Sequence, residues 1–471
     1  MARERSGTPS SESQSDRFPR VNPHTGDGRG ATERPLYPHA GRHASALMTA
    51  SMSNGIRTFL MYAQDGKGMG HITRTTTIAK HLLAAHPNSV AYITTESPVI
   101  GEFTLPERCD YLKLPRRMSP TTVVETEAEH EAAIDHFRIH VRSRILREAA
   151  LALAPDLVLV DHEPLGRKGE FREGLYALKE ESPTTKFVFG LRDIMDGVTR
   201  IRAQWRDLGV YDALENVYDG IAVYGSRDLY DVAEAYAIPP SVRSKLHYCG
   251  YVVRDGECTD ANEIRERYQV PSKGPLVVAT VGGGIDGYPV LEAACAAVQH
   301  LQSVHPDLNA VFVTGPLMPL DQQEKLRARA TTTCRVLTRA DNFQLMAAAD
   351  AIVSMGGYNS VCEALSVGRP LVIVPRSTHK IEQQIRAETL AARGLARWIH
   401  PKDLNGGESL AEALEWALTR DPRDHARLVR KIIPSFDGAS NLTAYVSRWL
   451  SDDGMGGRAN GREQLSTEGW A

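Results

Sequence analysis

Twice in this chain an unbroken apolar run of strand length leads straight into a glycine-rich loop and then a stripe of helical period. The first copy is "IRTFLMYAQ" (Ile56–Gln64), the loop "DGKGMGH", and a helix from about Ile72 carrying Ile78, Leu82 and Leu83. The second is "GPLVVATVGGGIDG" (Gly274–Gly287), followed by a helix around Leu291–Leu301. A run that is apolar at every position belongs to a strand covered on both faces, the situation of a parallel sheet. Further runs repeat the pattern: "SVAYITTES", "PDLVLVD", "KFVFGLRD" and "GIAVYGS" in the first half, "NAVFVTGP", "ADAIVSMGG" and "RPLVIVP" in the second. The predicted fold is therefore α/β, with two doubly wound, Rossmann-like domains joined near residues 250–256. Ligands of open parallel sheets bind beyond the carboxyl ends of the strands. Two such domains facing each other make a cleft whose functional residues come from strand-end loops of both halves.

The spacing predicts an amino-terminal domain over 55–250 and a carboxyl-terminal domain over 251–434, then a last helix over 435–450. Residues 1–54 and 451–471 are polar, lack periodicity and read as disordered tails. The first of these lacks the apolar centre of a signal peptide. A formal charge of -3 over 471 residues offers no basic field for nucleic acid. No apolar run reaches the roughly 18–20 residues of a membrane span. Six cysteines are scattered without CxxC spacing, which fits reduced thiols in a cytoplasmic protein better than a zinc site or disulfide framework. A long helix is expected over Glu125–Ala152, with Ile134, Phe137, Val141 and Ile145 as its apolar side. Its arginines over 138–147 read as a solvated face, or as a peripheral contact with an anionic membrane surface or lipid acceptor.

The loop "DGKGMGH" has His71 where a dinucleotide-binding G-x-G-x-x-G needs glycine, so Glu96 is not read as a ribose-binding acid. It also lacks the ending of a P-loop. His71 stands at the mouth of a helix, where an imidazole can serve as general base; a capping or merely exposed histidine is the alternative. Gly282, Gly283 and Gly284 follow a buried strand, and their amides, with the next helix dipole, can hold phosphate oxygens; a tight turn is the alternative. "SMGGYNSVCEALSVGRPLVIVP" places Gly356 and Gly357 at a strand-to-helix turn, and Ser360 to Glu363 spells S-x-x-E, a capping box. Glu363 is thus either part of a cap or a ligand-binding carboxylate. In "PRSTHKIEQQ", His379, Gln383 and Gln384 cluster at the start of another helix; His379 and Glu382 lack a third ligand for a metal. Asp161 and Glu163, and Arg192 and Asp193, follow two strands of the amino half and should reach the cleft. There they suit sugar hydroxyls or an acceptor, or pair locally. The chain has no Asp-x-Asp to chelate a divalent ion on a diphosphate.

The stretch from Ser354 to Ala396 resembles the carboxyl domain of nucleotide-sugar glycosyltransferases of family 28, the MurG-like enzymes. It shows their glycine turn, their helical glutamate ahead of a Gly-x-Pro, and then a proline, His-Lys and Gln-Gln. "GMGHITR" is similar to that family's amino-terminal glycine-histidine loop, whereas "DHEPLGRKGEF" and "GLRDIMDG" look like features of an uncharacterised branch of predicted glycosyltransferases. The resemblance implies the GT-B fold, with the donor held by the carboxyl domain, the acceptor by the amino domain, and the last helix crossing back. It implies transfer of a hexosyl group from a nucleoside diphosphate sugar, uridine-linked by preference, to a hydroxyl or amine, with inversion and without a metal or other cofactor. Glu363 would meet the ribose hydroxyls, Gln383 and Gln384 the sugar, Gly282–Gly284 and the Gly356–Ser360 turn with Asn359 the diphosphate, and Arg339 the base. His379 falls in the same donor set. Gly70, Glu163, Arg192 and Asp193 would lie on the acceptor side, with His71 the first candidate for the base and Asp161 the second. A UDP-sugar 2-epimerase and a non-catalytic nucleotide-sugar binder remain as alternatives.

Overall fold

The computed structural model describes residues 55–64, 70–116, 128–376 and 381–452. Of the stretches read as tails, 1–54 and 451–471, residues 1–54 and 453–471 lie outside the described residues, as do the loop residues 65–69 and His379, while 451 and 452 end the last helix. The amino-terminal sheet has seven strands: β1 (Arg57–Ala63), β2 (Ser89–Thr95), β3 (Cys109–Lys113), β4 (Leu157–Asp161), β5 (Lys186–Arg192), β6 (Gly220–Tyr224) and β7 (Leu246–Tyr248). Their spatial order is β3-β2-β1-β4-β5-β6-β7. The carboxyl-terminal sheet has six: β8 (Leu276–Thr280), β9 (Asn309–Val313), β10 (Cys334–Leu337), β11 (Ala351–Ser354), β12 (Leu371–Ile373) and β13 (Ala396–Trp398), in the order β10-β9-β8-β11-β12-β13. Every pairing between these strands is parallel. The strand order reverses beside β1 in the first sheet and beside β8 in the second. Those are the strands that open the two predicted repeats, and each reversal opens a crevice at the carboxyl ends.

One buried apolar cluster runs through both halves. It includes Phe59 and Met61 of β1, Tyr224 of β6, Tyr251 and Val252 between the sheets, Val278 of β8, and Tyr358. The chain crosses between the halves twice, and the two crossings lie side by side. Val252 and Asp437 form an antiparallel bridge, flanked by Tyr251 N–H to Ser435 O and Gly438 N–H to Tyr251 O. The last helix, Gly438–Asp452, then packs on the first one, Gly70–Ala85. Ser440 and Ser447 of this last helix bond His81 and His86, and its Tyr445 stacks on His247 of β7 at 4.3 Å between ring centroids.

The long helix (Ala128–Leu153) is rotated from its expected orientation, although Val141 is half-buried and Arg144 exposed as expected. Phe137 is 68% exposed and Ile145 38%, while Arg138 and Arg142 are buried; the side chain of Ile134 is not among those described. Carboxylates beneath the helix turned it. Arg142 donates to Glu96 at 2.5 Å and to Glu170 at 2.5 Å, and Arg167 also donates to Glu96, at 2.9 Å. Tyr62 of β1 donates to Glu170 at 2.7 Å. Glu96, at the end of β2, is therefore engaged inside the protein. Among the described residues no helix is long and apolar enough to cross a membrane.

This network predicts that Arg142→Met costs about 3–5 kcal/mol, because it leaves two buried carboxylates without their shared cation. Urea unfolding at neutral pH measures it. Loss of less than about 1 kcal/mol would return Arg142 to the solvated face.

Candidate functional site

The carboxyl ends of adjacent strands β1 and β4 bring the two candidate bases together. The first helix starts at Gly70, just past β1, so His71 sits in its first turn; Asp161 is the last residue of β4. His71 Nδ1 lies 2.6 Å from Asp161 Oδ2. Arg74, one turn further along the helix, donates from Nε to Asp161 Oδ1 at 2.9 Å and from Nη2 to Oδ2 at 2.6 Å. Asp161 is buried. Burial alone would raise its pKa, but the Arg74 charge and the His71 hydrogen bond outweigh it and hold the carboxyl at about 2. A carboxylate at this position orients the imidazole: as acceptor of a hydrogen bond from Nδ1–H it leaves Nε2 as the atom able to take up a proton, and Arg74 Nη2 lies 3.1 Å from the same Nδ1.

The residue after Asp161 was not singled out by its sequence. His162 adopts φ +69°, a left-handed conformation that a non-glycine residue seldom takes. That turn brings its ring to 4.9 Å from the ring of His71 and against Arg192, whose Nε lies 3.3 Å from His162 Nδ1. Arg192 reaches across the cleft to Glu382 at 3.0 Å. Asp193, its sequence neighbour, has another task. Its buried carboxylate accepts from Tyr251 at 2.5 Å and from the Ile194 N–H at 2.7 Å. Glu163 is half-buried at the mouth of the same turn, where its N–H bonds Asp161 O at 2.9 Å.

On the carboxyl side the helix bearing Glu363 spans Tyr358–Ser366, with Gly357 at its N-cap and no side-chain capping bond. Ser360 is thus its third residue and Glu363 lies in its second turn. The S-x-x-E run is not a capping box, because the turn through Gly356 starts the helix three residues early. Gly356 has φ +79°, and a β-carbon there would meet Ile373 at 2.9 Å. Freed from capping, Glu363 faces the cleft. It lines a crevice with Arg254, Asn359, Thr73, Arg74 and Thr77, and its side chain is 13% exposed. Burial pushes its pKa up to about 7; Arg254, 3.4 Å away, pulls it down and nearby Asp341 pushes it up.

The remaining candidates fall around this crevice at different depths. Asn359 donates to Gly70 O at 3.2 Å, which joins the Glu363 helix to the start of the His71 helix. Gly282, Gly283 and Gly284 form a turn beyond β8, but the next helix begins only at Tyr288, so the glycines do not cap it. Gly284, at φ +96°, has no room for a β-carbon, which would lie 2.1 Å from Thr314 O; Gly282 opens to free space. Gln383 accepts from the Arg376 N–H at 2.9 Å, and Gln384 donates along its helix to Glu388 at 2.9 Å. Arg339 sits at the rim, paired across the cleft with Glu102 at 2.9 Å. Among the described residues no group of three or more His, Cys, Asp or Glu side chains is arranged to hold a metal.

Residues that the linear pattern did not reveal tie the two halves together. Arg386 donates to Gly356 O at 2.8 Å and to Ile194 O at 3.1 Å, and Ile381 N–H donates to Asp196 at 3.0 Å. For Arg74 a signal existed, since it stands one turn after His71 in "GMGHITR". For His162, Arg254, Tyr358 and Arg386 there was none, because their partners come from distant segments.

Residues 278–431 match the glycosyltransferase family 28 C-terminal domain. An uncharacterised glycosyltransferase of Methanosarcina mazei is 24% identical over 202 residues, covering 42% of this chain and 48% of that relative. The UDP-N-acetylglucosamine–N-acetylmuramyl-(pentapeptide) pyrophosphoryl-undecaprenol N-acetylglucosamine transferase of Rhodococcus opacus is 29% identical over 191 residues, covering 40% of this chain and 47% of its own length. The chain thus spans about half the length of these curated relatives. The crystal structure of the calicheamicin glycosyltransferase CalG4 superposes over 84% of this chain and 98% of its own, with a TM-score of 0.59 at 17% identity. Over residues 278–431 the chain thus matches the family 28 glycosyltransferase carboxyl-terminal domain, and its two parallel sheets share the fold of the calicheamicin glycosyltransferase, the GT-B fold.

Proposed function

We propose that the protein transfers a hexosyl group from a nucleoside diphosphate sugar to an acceptor hydroxyl or amine. The observation that carries this reading is the His71–Asp161 pair, set across the cleft from a helix whose Glu363 carboxyl is free of capping and turned into the crevice. Glu363 accepts both ribose hydroxyls of the donor. The Gly282 turn and the Gly356–Ser360 turn take up the diphosphate charge through their amides, without a metal ion. The acceptor enters from the amino-terminal side. His71 Nε2 removes its proton while the freed oxygen or nitrogen attacks the anomeric carbon opposite the departing diphosphate, which inverts that centre. Asp161 stays ionised throughout and stabilises the imidazolium that forms. Arg192 and His162 line the acceptor side. Uridine diphosphate is the preferred leaving group, a choice supported by the donor in the name of the Rhodococcus relative.

A panel of nucleotide sugars screened by calorimetry, with product analysis in cell extract, tests the assignment. Transfer of the sugar to a new compound supports it; conversion of the donor without any acceptor replaces it with epimerisation or hydrolysis. Binding without turnover leaves a carrier or sensor.

His71→Ala should lower turnover by about 10²–10⁴-fold and leave donor affinity within a few-fold. Steady-state rates beside calorimetry measure the two effects separately, and unchanged turnover removes His71 from the mechanism. Glu363 generates a pH dependence. With its pKa near 7 in the donor-free protein, the carboxyl is protonated on the acid side and must lose that proton to accept two hydroxyls. The affinity of a UDP-sugar, whose diphosphate does not titrate in this range, should therefore rise about tenfold from about pH 6 to about pH 8 and then level off. Glu363→Gln should bind more weakly and with no such slope. A slope that survives in the Gln variant assigns it to another group.

A further inference from the structure

We infer that Arg74 is a positioning residue for the His71–Asp161 pair, held in place by Tyr358 of the carboxyl domain, so that the donor-side helix fixes the geometry of the base. The inference rests on the reading of His71 as that base. Its physical content is a buried guanidinium between two aromatic faces. Arg74 is 2% exposed; its Cζ lies 5.3 Å from the ring centre of Tyr224 in the amino domain and 5.2 Å from that of Tyr358 in the carboxyl domain. Both distances fall inside the roughly 6 Å range of a cation–π contact, which is strengthened by the absence of water.

Tyr358 is itself immobilised. Its hydroxyl donates to Tyr224 O at 3.2 Å and accepts from the Val252 N–H at 3.4 Å, and Arg386 lies over its ring at 5.8 Å. The two tyrosines hold the guanidinium in one plane, and that plane sets both oxygens of Asp161. Oδ2 is the oxygen that meets His71 Nδ1, so Arg74 sets the direction in which Nε2 of the imidazole points. Tyr358 opens the helix that carries Glu363 in its second turn, and Arg74 and Glu363 line the same crevice. Donor contact and base orientation are therefore joined by two side chains, with no loop between them.

A double-mutant cycle on the full chain tests this. Tyr358→Leu removes the ring face, Tyr358→Phe keeps it, and Arg74→Met removes the cation. Turnover is read as UDP release from the UDP-sugar that binds, and donor affinity as the Kd of UDP by calorimetry. Tyr358→Leu should lower kcat by about 10–100-fold with the Kd of UDP within about threefold, Tyr358→Phe should restore most of the loss, and the Tyr358→Leu/Arg74→Met double variant should be no slower than the slower single one. Losses that multiply, or a Kd that weakens in step with kcat, overturn the inference. The same cycle read as urea midpoints needs no ligand: coupled shifts support the contact, and additive shifts remove it whatever the reaction. A wild-type chain that binds no UDP-sugar removes the glycosyl-transfer reading instead and leaves the urea cycle to decide the contact.

Discussion

The structure depends on keeping one carboxylate ionised where water does not reach it. Asp161 ends a central strand of a parallel sheet, at the point where two adjacent strand ends and the start of a helix converge. A carboxylate buried there alone would take up a proton and could not orient a base. Arg74 supplies the compensating charge from one turn along the neighbouring helix, and His71 supplies the second hydrogen bond. The local sequence from Gly70 to Arg74 is therefore a unit: one turn of helix carries both the imidazole and its electrostatic support.

Buried guanidinium groups perform the same structural service elsewhere. Arg142 joins Glu96 to Glu170 behind the amino-terminal sheet, and Arg386 joins carbonyls of both domains beside Gly356. Planar, multiply donating side chains suit such places, because one group satisfies several acceptors whose directions are set by rigid strands. The cleft walls are consequently fixed by directional bonds as well as by apolar packing. That suits a site shared between two sheets.

How much of this was legible in the linear pattern follows from burial. The nine runs read as strands are the nine interior strands of the two sheets, where most positions are buried and apolar. The strands that were missed, β3, β7, β10 and β13, are the four sheet edges. They are short and only partly buried, so alternation and continuity both fail as signals. His71 and Asp161 were legible because parallel topology sends both to adjacent strand ends. Tyr358 and His162 were not, because one acts through a partner in the other domain and the other through a backbone conformation with no compositional mark. The Ala128–Leu153 helix was read with the wrong rotation: buried Glu96 and Glu170 bind Arg142 and leave Phe137 and Ile145 outside, while Arg144 stays exposed.

The paired crossings at Val252 and Asp437 act as an axle for the molecule. Two strands of chain running side by side in opposite directions resist sliding and separation. Tyr358, bonded to Val252, sits close to that axle. The rim pairs, Arg339 with Glu102 and Arg393 with the Asp228 carbonyl, lie on exposed surface and are weak links of about 0–1 kcal/mol each. The parts near the axle are thus held in register more firmly than the rim, as the cutting edges of scissors stay aligned closest to the screw.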